Sequence, residues 1–161
     1  MLDQNKRFKI FTIGHGALAL EEFLRRLQTH GIKALADVRR FPTSKRHPQF
    51  TRPGLAAALK PHGMAYHWLG ETLGGYRAGG YDAYMQTEAF RQGCGELIQL
   101  AQTQPLAFMC AELDYRGCHR RFIAAHLQQN GFEIWHIGKN GELLSHAATE
   151  TNTTMPIPFM G

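Results

Sequence analysis

Cysteine is scarce in this chain, with three residues in 161, at Cys94, Cys110 and Cys118. They form neither an even framework nor a Cys-x-x-Cys pair, which argues against a disulfide scaffold and leaves reduced thiols as the expectation. Long apolar runs are missing too, so no membrane span is expected. The stretch Met1 to Arg7 is too polar for a signal peptide, and a cytoplasmic protein is expected. Repeats and low-complexity segments are absent, and 43% hydrophobic residues suit one real core. One α/β domain over 1–146 is therefore expected, with an irregular tail at 147–161 that has two prolines and little periodicity. Charge is modest, 19% charged with a formal net charge of +5, an excess that ordinary solvated Lys and Arg explain without nucleic acid.

What is present alternates between two periods. Apolar runs at 7–13, 34–38, 64–68, 105–109 and 132–137 read as strands, and amphipathic stretches at 18–30, 55–59, 87–103 and 117–130 read as helices. Strands separated by helical crossovers pair in parallel, so the expected fold is a three-layer, doubly wound α/β domain with a mostly parallel sheet of about five strands.

That topology gives the polar residues a place. The expected carboxyl ends of the strands carry His15, then Asp37 and Arg39, then His67, then Cys110 and Glu112, then His136. Open α/β sheets bind ligands along this edge. The densest chemistry lies in Cys110-Ala-Glu-Leu-Asp-Tyr-Arg-Gly-Cys-His-Arg120, where a buried strand hands over to a helix. Each residue also has an ordinary structural use: Asp37 caps a turn or pairs with an Arg, Cys110 packs as a small hydrophobe, and a lone His is more often structural than catalytic.

Thr12-Ile-Gly-His15, Ala36-Asp-Val-Arg39 followed by Pro42, Leu73-Gly-Gly75, Cys110-Ala-Glu112 and Cys118-His-Arg120 occur here in one order. Together they resemble the signature blocks of the domain of unknown function 488 family, covering roughly 8–138. The resemblance implies an α/β fold and a shared polar site, without naming a reaction. Gly16 stands where the family often has Ser.

A looser resemblance is to rhodanese-like sulfurtransferases and cysteine phosphatases, carried by Asp37-Val-Arg39 and the Cys-x5-Arg spacing from Cys110 to Arg116. It implies Cys110 as nucleophile. Glu112 and Asp114 inside that loop oppose it, because they repel an anion and disfavour a thiolate. Zinc held by His15, Cys110, Cys118 and His119 is a further option, but Cys-x7-Cys-His is not a usual structural-zinc spacing. No metal and no cofactor are expected.

The reading that uses all the charges is a small hydrolase or group transferase acting on a phosphate-bearing ligand such as a nucleotide or nucleic-acid end. Arg39, Arg116, Arg120, His15 and the helix start at Cys118 are expected to bind the anion. Glu112, His119, Cys110 and Asp37 are the candidate catalytic groups, with Glu112 or His119 carrying the proton. A non-catalytic alternative rests on the basic loop Arg39 to Arg52, in which Phe41 and Phe50 are interleaved. It either binds a nucleic-acid backbone with aromatic stacking or folds its Phe residues back onto the core.

Overall fold

The computed structural model describes residues 8–146. Strands β1 (Lys9–Gly14), β2 (Ala34–Asp37), β3 (Ala65–Trp68), β4 (Leu106–Cys110), β5 (Glu133–Ile137) and β6 (Leu143–Ser145) form one sheet in the order β3-β2-β4-β1-β5-β6. The first five run parallel. β6 pairs antiparallel with β5 and was not expected from the sequence, because Leu-Leu-Ser is too short to show a period. The tail at 147–161 lies outside the described residues.

Helices α1 (Leu20–Thr29), α2 (Arg52–Leu59), α3 (Gly70–Leu73), α4 (Tyr81–Tyr84), α5 (Glu88–Thr103) and α6 (Arg120–Gln129) complete the chain. α1 carries Glu21 and Glu22 in its first turn, where the helix dipole favours them, and buries Phe23, Leu24 and Leu27. α2 starts three residues earlier than its apolar run suggests. Thr51 accepts from the Gly54 amide at 3.3 Å, and Pro53 sits in the first turn, where a missing N–H costs nothing. Thr87 caps α5 in the same way through the Phe90 amide.

Side chains alternate across the pleat, so the sheet has two apolar faces. Leu35, Ala107 and Met109 pack with residues of α1 and α2, whereas Ala34, Ala36, Leu106 and Phe108 pack with residues of α5 and α6. The result is three layers, helices on both sides of a buried sheet. Connections β1 to β2 and β2 to β3 run over one face toward one edge, and connections β3 to β4 and β4 to β5 run back over the other. After β2 and β4, which are neighbours, the chain therefore leaves in opposite directions. That divergence opens a crevice at their carboxyl ends. Register makes the ends level, since Gly14 pairs with Cys110 and Asp37 with Met109.

Candidate functional site

A pocket of about 460 Å³ occupies this crevice, bounded by the segments after β1, β2 and β4 and by Gly75 to Tyr81. Close backbone approach builds it. The loop after β4 lies directly on the end of β1, where His15 N–H donates to the Cys110 carbonyl at 3.1 Å and Gly16 N–H to the Ala111 carbonyl at 2.8 Å. A Cβ on Gly14 would stand 1.7 Å from the Glu112 carbonyl oxygen, so only glycine permits the contact. Gly75 plays a milder version of the part, because a Cβ there would meet His119 Nδ1 at 3.3 Å.

Asp37 is fully buried and lines no part of the pocket. Its carboxylate accepts from Arg39 Nε at 2.9 Å, from Arg39 Nη2 at 2.7 Å, from the Arg39 amide and from the Tyr66 hydroxyl. Arg39 is thereby fixed, and its Nη1 donates to His15 Nε2 at 3.3 Å. The other ring nitrogen, His15 Nδ1, donates to the Gly16 carbonyl, so both partners specify one neutral tautomer. Burial lowers the His15 pKa to about 4, aided by the Arg39 charge and opposed by the Gly16 carbonyl. Phe50 stacks on the ring at 4.6 Å.

The thiols sit opposite. Cys110, at the end of β4, is buried and directs its Sγ toward the Glu112 carbonyl at 3.6 Å. Cys118 is half-buried in the pocket wall just before α6. Its Sγ accepts the Arg120 N–H at 3.3 Å and lies 3.7 Å from His119 Nδ1. His119 Nε2 donates to the Val38 carbonyl at 3.0 Å, which turns Nδ1 toward the sulfur. The pair is electrostatically asymmetric. A hydrogen bond from Cys110 holds the Cys118 thiol far below the ordinary thiol range, reinforced by His119 and the Arg120 charge, with burial opposing. Burial and the neighbouring Cys118 push Cys110 in the other direction.

The residues singled out from sequence therefore fall into three groups. His15, Arg39, Cys110, Glu112, Cys118 and His119 all border the pocket, with Glu112 on its exposed rim. Asp37 and Arg120 lie beneath it. Arg120 is fully buried, and its guanidinium donates to Thr12 Oγ1 at 3.0 Å and to the Glu112 and Leu113 carbonyls at 2.7 and 3.2 Å. It clamps the loop from within instead of facing a ligand. Arg116 is outside the pocket, exposed and paired with Asp114.

The start of α6 also differs from the sequence expectation of a helix from 117. Asp114 caps a single 3-10 turn at Tyr115–Gly117, which delays the helix to Arg120 and leaves Cys118 extended. The Arg116 amide donates to Asp114 Oδ1, and the Gly117 and Cys118 amides donate to the Asp114 and Tyr115 carbonyls. These three N–H groups close the turn on itself. At the mouth of α6 the Cys118 sulfur occupies the position expected for an external anion. Among the described residues no group of three or more His, Cys, Asp or Glu is placed to hold a metal ion.

Two aromatic residues of the pocket, Tyr76 and Tyr81, had no role assigned from sequence, and Arg40 had one only in the basic-loop alternative. Tyr81 packs on His119 at 5.2 Å and borders the cavity. Arg40 and Tyr76 form its outer rim, and Tyr76 follows Gly74-Gly75, a turn signal that says nothing about where a ring will point. Phe50 and Phe41 behave oppositely: Phe50 folds onto the core, whereas Phe41 is 62% exposed.

A family model for the domain of unknown function DUF488 matches residues 19–127. The chain belongs to the DUF488 family. Neither a curated protein nor a solved structure matches it. The DUF488 match runs from the start of α1 into α6 and so includes Asp37, Arg39, Cys110, Glu112, Cys118 and His119, while His15 lies before it. Among the described residues no helix is long and apolar enough to cross a membrane.

Proposed function

We propose that this DUF488 protein is a cysteine-dependent hydrolase or group transferase whose nucleophile is Cys118, acting on an anionic, phosphate-bearing ligand. One observation carries it: Cys118 Sγ borders a pocket while accepting the Arg120 amide N–H at 3.3 Å, with His119 Nδ1 at 3.7 Å and the buried Cys110 thiol as its neighbour. A thiolate, not a thiol, is the attacking species, and each of these neighbours favours the thiolate.

The chemistry follows from the placement. With the Cys118 proton taken up by His119 Nδ1, the sulfur bonds to an electrophilic centre of the ligand as the bond to the leaving group breaks. His119, aimed by the Val38 carbonyl, gives the leaving group its proton through Nδ1 and recovers one from the water or acceptor that cleaves the adduct. Arg39 and Arg40 face the same space and pair with the ligand's negative charge. Cys110 supports this chemistry as a hydrogen-bond donor buried behind Cys118. It is not the attacking group in this reading, since burial disfavours its thiolate.

Limiting iodoacetamide at about pH 6, followed by peptide mapping, tests the assignment, because only a thiolate alkylates quickly there. Label is expected on Cys118 ahead of Cys94 and Cys110. First labelling of Cys110, or none on any thiol, overturns it. With a panel of nucleotides and phosphate esters, Cys118→Ser is expected to abolish turnover and any covalent adduct seen by intact mass.

A further inference from the structure

We infer that the rim of the pocket is a stacking platform for a nucleobase, so that the ligand is a nucleotide unit with an exposed base, presented by a single strand. The inference deepens the proposed function, and it rests on that reading for the reacting end of the ligand beside Cys118.

Three large hydrophobic side chains are exposed among the described residues, and two of them, Phe41 and Tyr76, stand together on this rim with ring centroids 6.2 Å apart. Tyr76 is 85% exposed. An exposed aromatic pair gains little for the fold, since most of its area stays in water. Tyr76 is also the only described non-glycine residue with a positive φ, 61°. A side chain in the left-handed region is disfavoured, so the surrounding structure must hold it there. The holder is visible. Arg40 Nη1 donates to the Tyr76 carbonyl at 2.9 Å, tying the segment after β2 to the segment after α3. The strained turn therefore displays a ring to solvent at the lip of the pocket that Cys118 borders.

Charge decides what kind of flat ligand fits. Arg40 and Arg77 line the open depression beside the rim, Arg52 lies over its Trp68, and among the described residues none of the three pairs with a carboxylate side chain. Each guanidinium instead lies over an aromatic ring, Arg40 on Phe41, Arg52 on Trp68 at 4.4 Å and Arg77 on Tyr84 at 4.0 Å. Arg40 and Phe41 border both depressions, so the two adjoin at these side chains. Arginines without a carboxylate partner beside the exposed rings of Phe41 and Tyr76 match a phosphodiester backbone whose bases are free to stack. A duplex hides those faces, which is why a single strand is favoured. Glu71 is the one carboxylate lining the second depression, and it does not cancel the three cations.

Fluorescence anisotropy with a labelled single-stranded dodecanucleotide and the full chain tests this. The expected result is tighter binding to the single strand than to the matching duplex. Tyr76→Gly removes the ring while relieving the backbone, so it keeps the fold, and it should weaken binding about 5- to 150-fold, the range that stacking of one base supplies. Phe41→Ala should act in the same direction, and Tyr76→Phe should restore wild-type affinity. Arg40→Gln should lower the slope of log affinity against log salt by about one phosphate contact. Competition by AMP equal to that by the strand would still support a base platform while making the free nucleotide its ligand. No binding, or equal binding of duplex and strand that Tyr76→Gly leaves unchanged, overturns the inference. Cys118→Ser separates the two proposals: a strand that still binds a protein whose thiol proves unreactive sinks the chemistry and leaves the platform standing.

Discussion

At the scale of the residue, the site turns on two sulfurs eight positions apart whose environments drive them in opposite directions. Cys110 comes last in a strand that is buried throughout, so its thiol keeps its proton. Cys118 comes just before a helix, where an amide N–H and two side chains converge on the sulfur. The pair is therefore a donor and an acceptor, not two equivalent thiols. Alkylation of Cys118 should be nearly independent of pH between about 6 and 8. In Cys110→Ala, which removes the largest favourable contact, the rate should fall about tenfold for each pH unit below the ordinary thiol range. An unchanged profile in that variant would remove Cys110 from the site. Arg120 supplies a second expectation. Replacing it with Met leaves Thr12 Oγ1 and two loop carbonyls without their donor, a cost of about 1–3 kcal/mol for each buried group left unpaired. A lower denaturation midpoint together with slower Cys118 alkylation is expected, and an unaltered midpoint would show that the clamp is idle.

At the scale of the element, the loop between β4 and α6 is held by what it touches rather than by its own propensity. Its carbonyls are taken by His15, Gly16 and Arg120, and the amides of Arg116, Gly117 and Cys118 by the Asp114 turn. Gly14→Ala puts a methyl group 1.7 Å from the Glu112 oxygen, so either β1 or the loop must move. Overpacking of this kind costs about 1–3 kcal/mol or more. Gly117→Ala meets nothing within 4 Å and should change stability by no more than about 0.5 kcal/mol. Urea denaturation of the two variants in parallel checks the contrast, and equal midpoints would contradict the close approach of loop and strand. The same element shows what sequence leaves open. The helix after Cys110 is legible from Phe122, Ile123 and Leu127, but its first residue is not, because the Asp114 cap competes with the helix for Arg116 to Cys118.

At the scale of the whole molecule, buried imidazoles tie folding to pH. His15 is lowered from 6.5 to about 4, chiefly by burial. His136 is lowered further, again by burial first and then by His146 and Arg120, with Tyr115 stacked on its ring. Between about pH 4 and 6.5 the unfolded chain binds more protons than the native one at these groups, so stability rises with pH through that window and is lost on acidification. The depressed Cys118 thiol acts in the same direction over its own window, up to the ordinary thiol pKa. Thermal midpoints measured from about pH 7.5 down to 4.5 should fall, with a shallower dependence in His15→Gln. A flat dependence would mean that neither imidazole is held neutral.

Much of this architecture follows from the sequence alone. Five strands are apolar because a parallel sheet covered on both faces needs them so, and helices between them carry a stripe of Phe and Leu for one face each. From that alternation the carboxyl ends of the parallel strands were expected along one edge, and with them His15, Arg39 and Cys110; that β2, β4 and β1 are neighbours there is decided by the order of the strands in the sheet. Direction within the site was another matter. Whether Arg120 faces a ligand or clamps a loop, whether Phe41 or Phe50 turns inward, and which sulfur carries the charge depend on contacts between segments far apart in the chain. Thr12 is 108 residues from Arg120, and Val38 is 81 from His119. Local patterning records only whether a residue suits a buried or an exposed face. The partner that sets its charge and its aim exists only once the sheet has brought the two segments together.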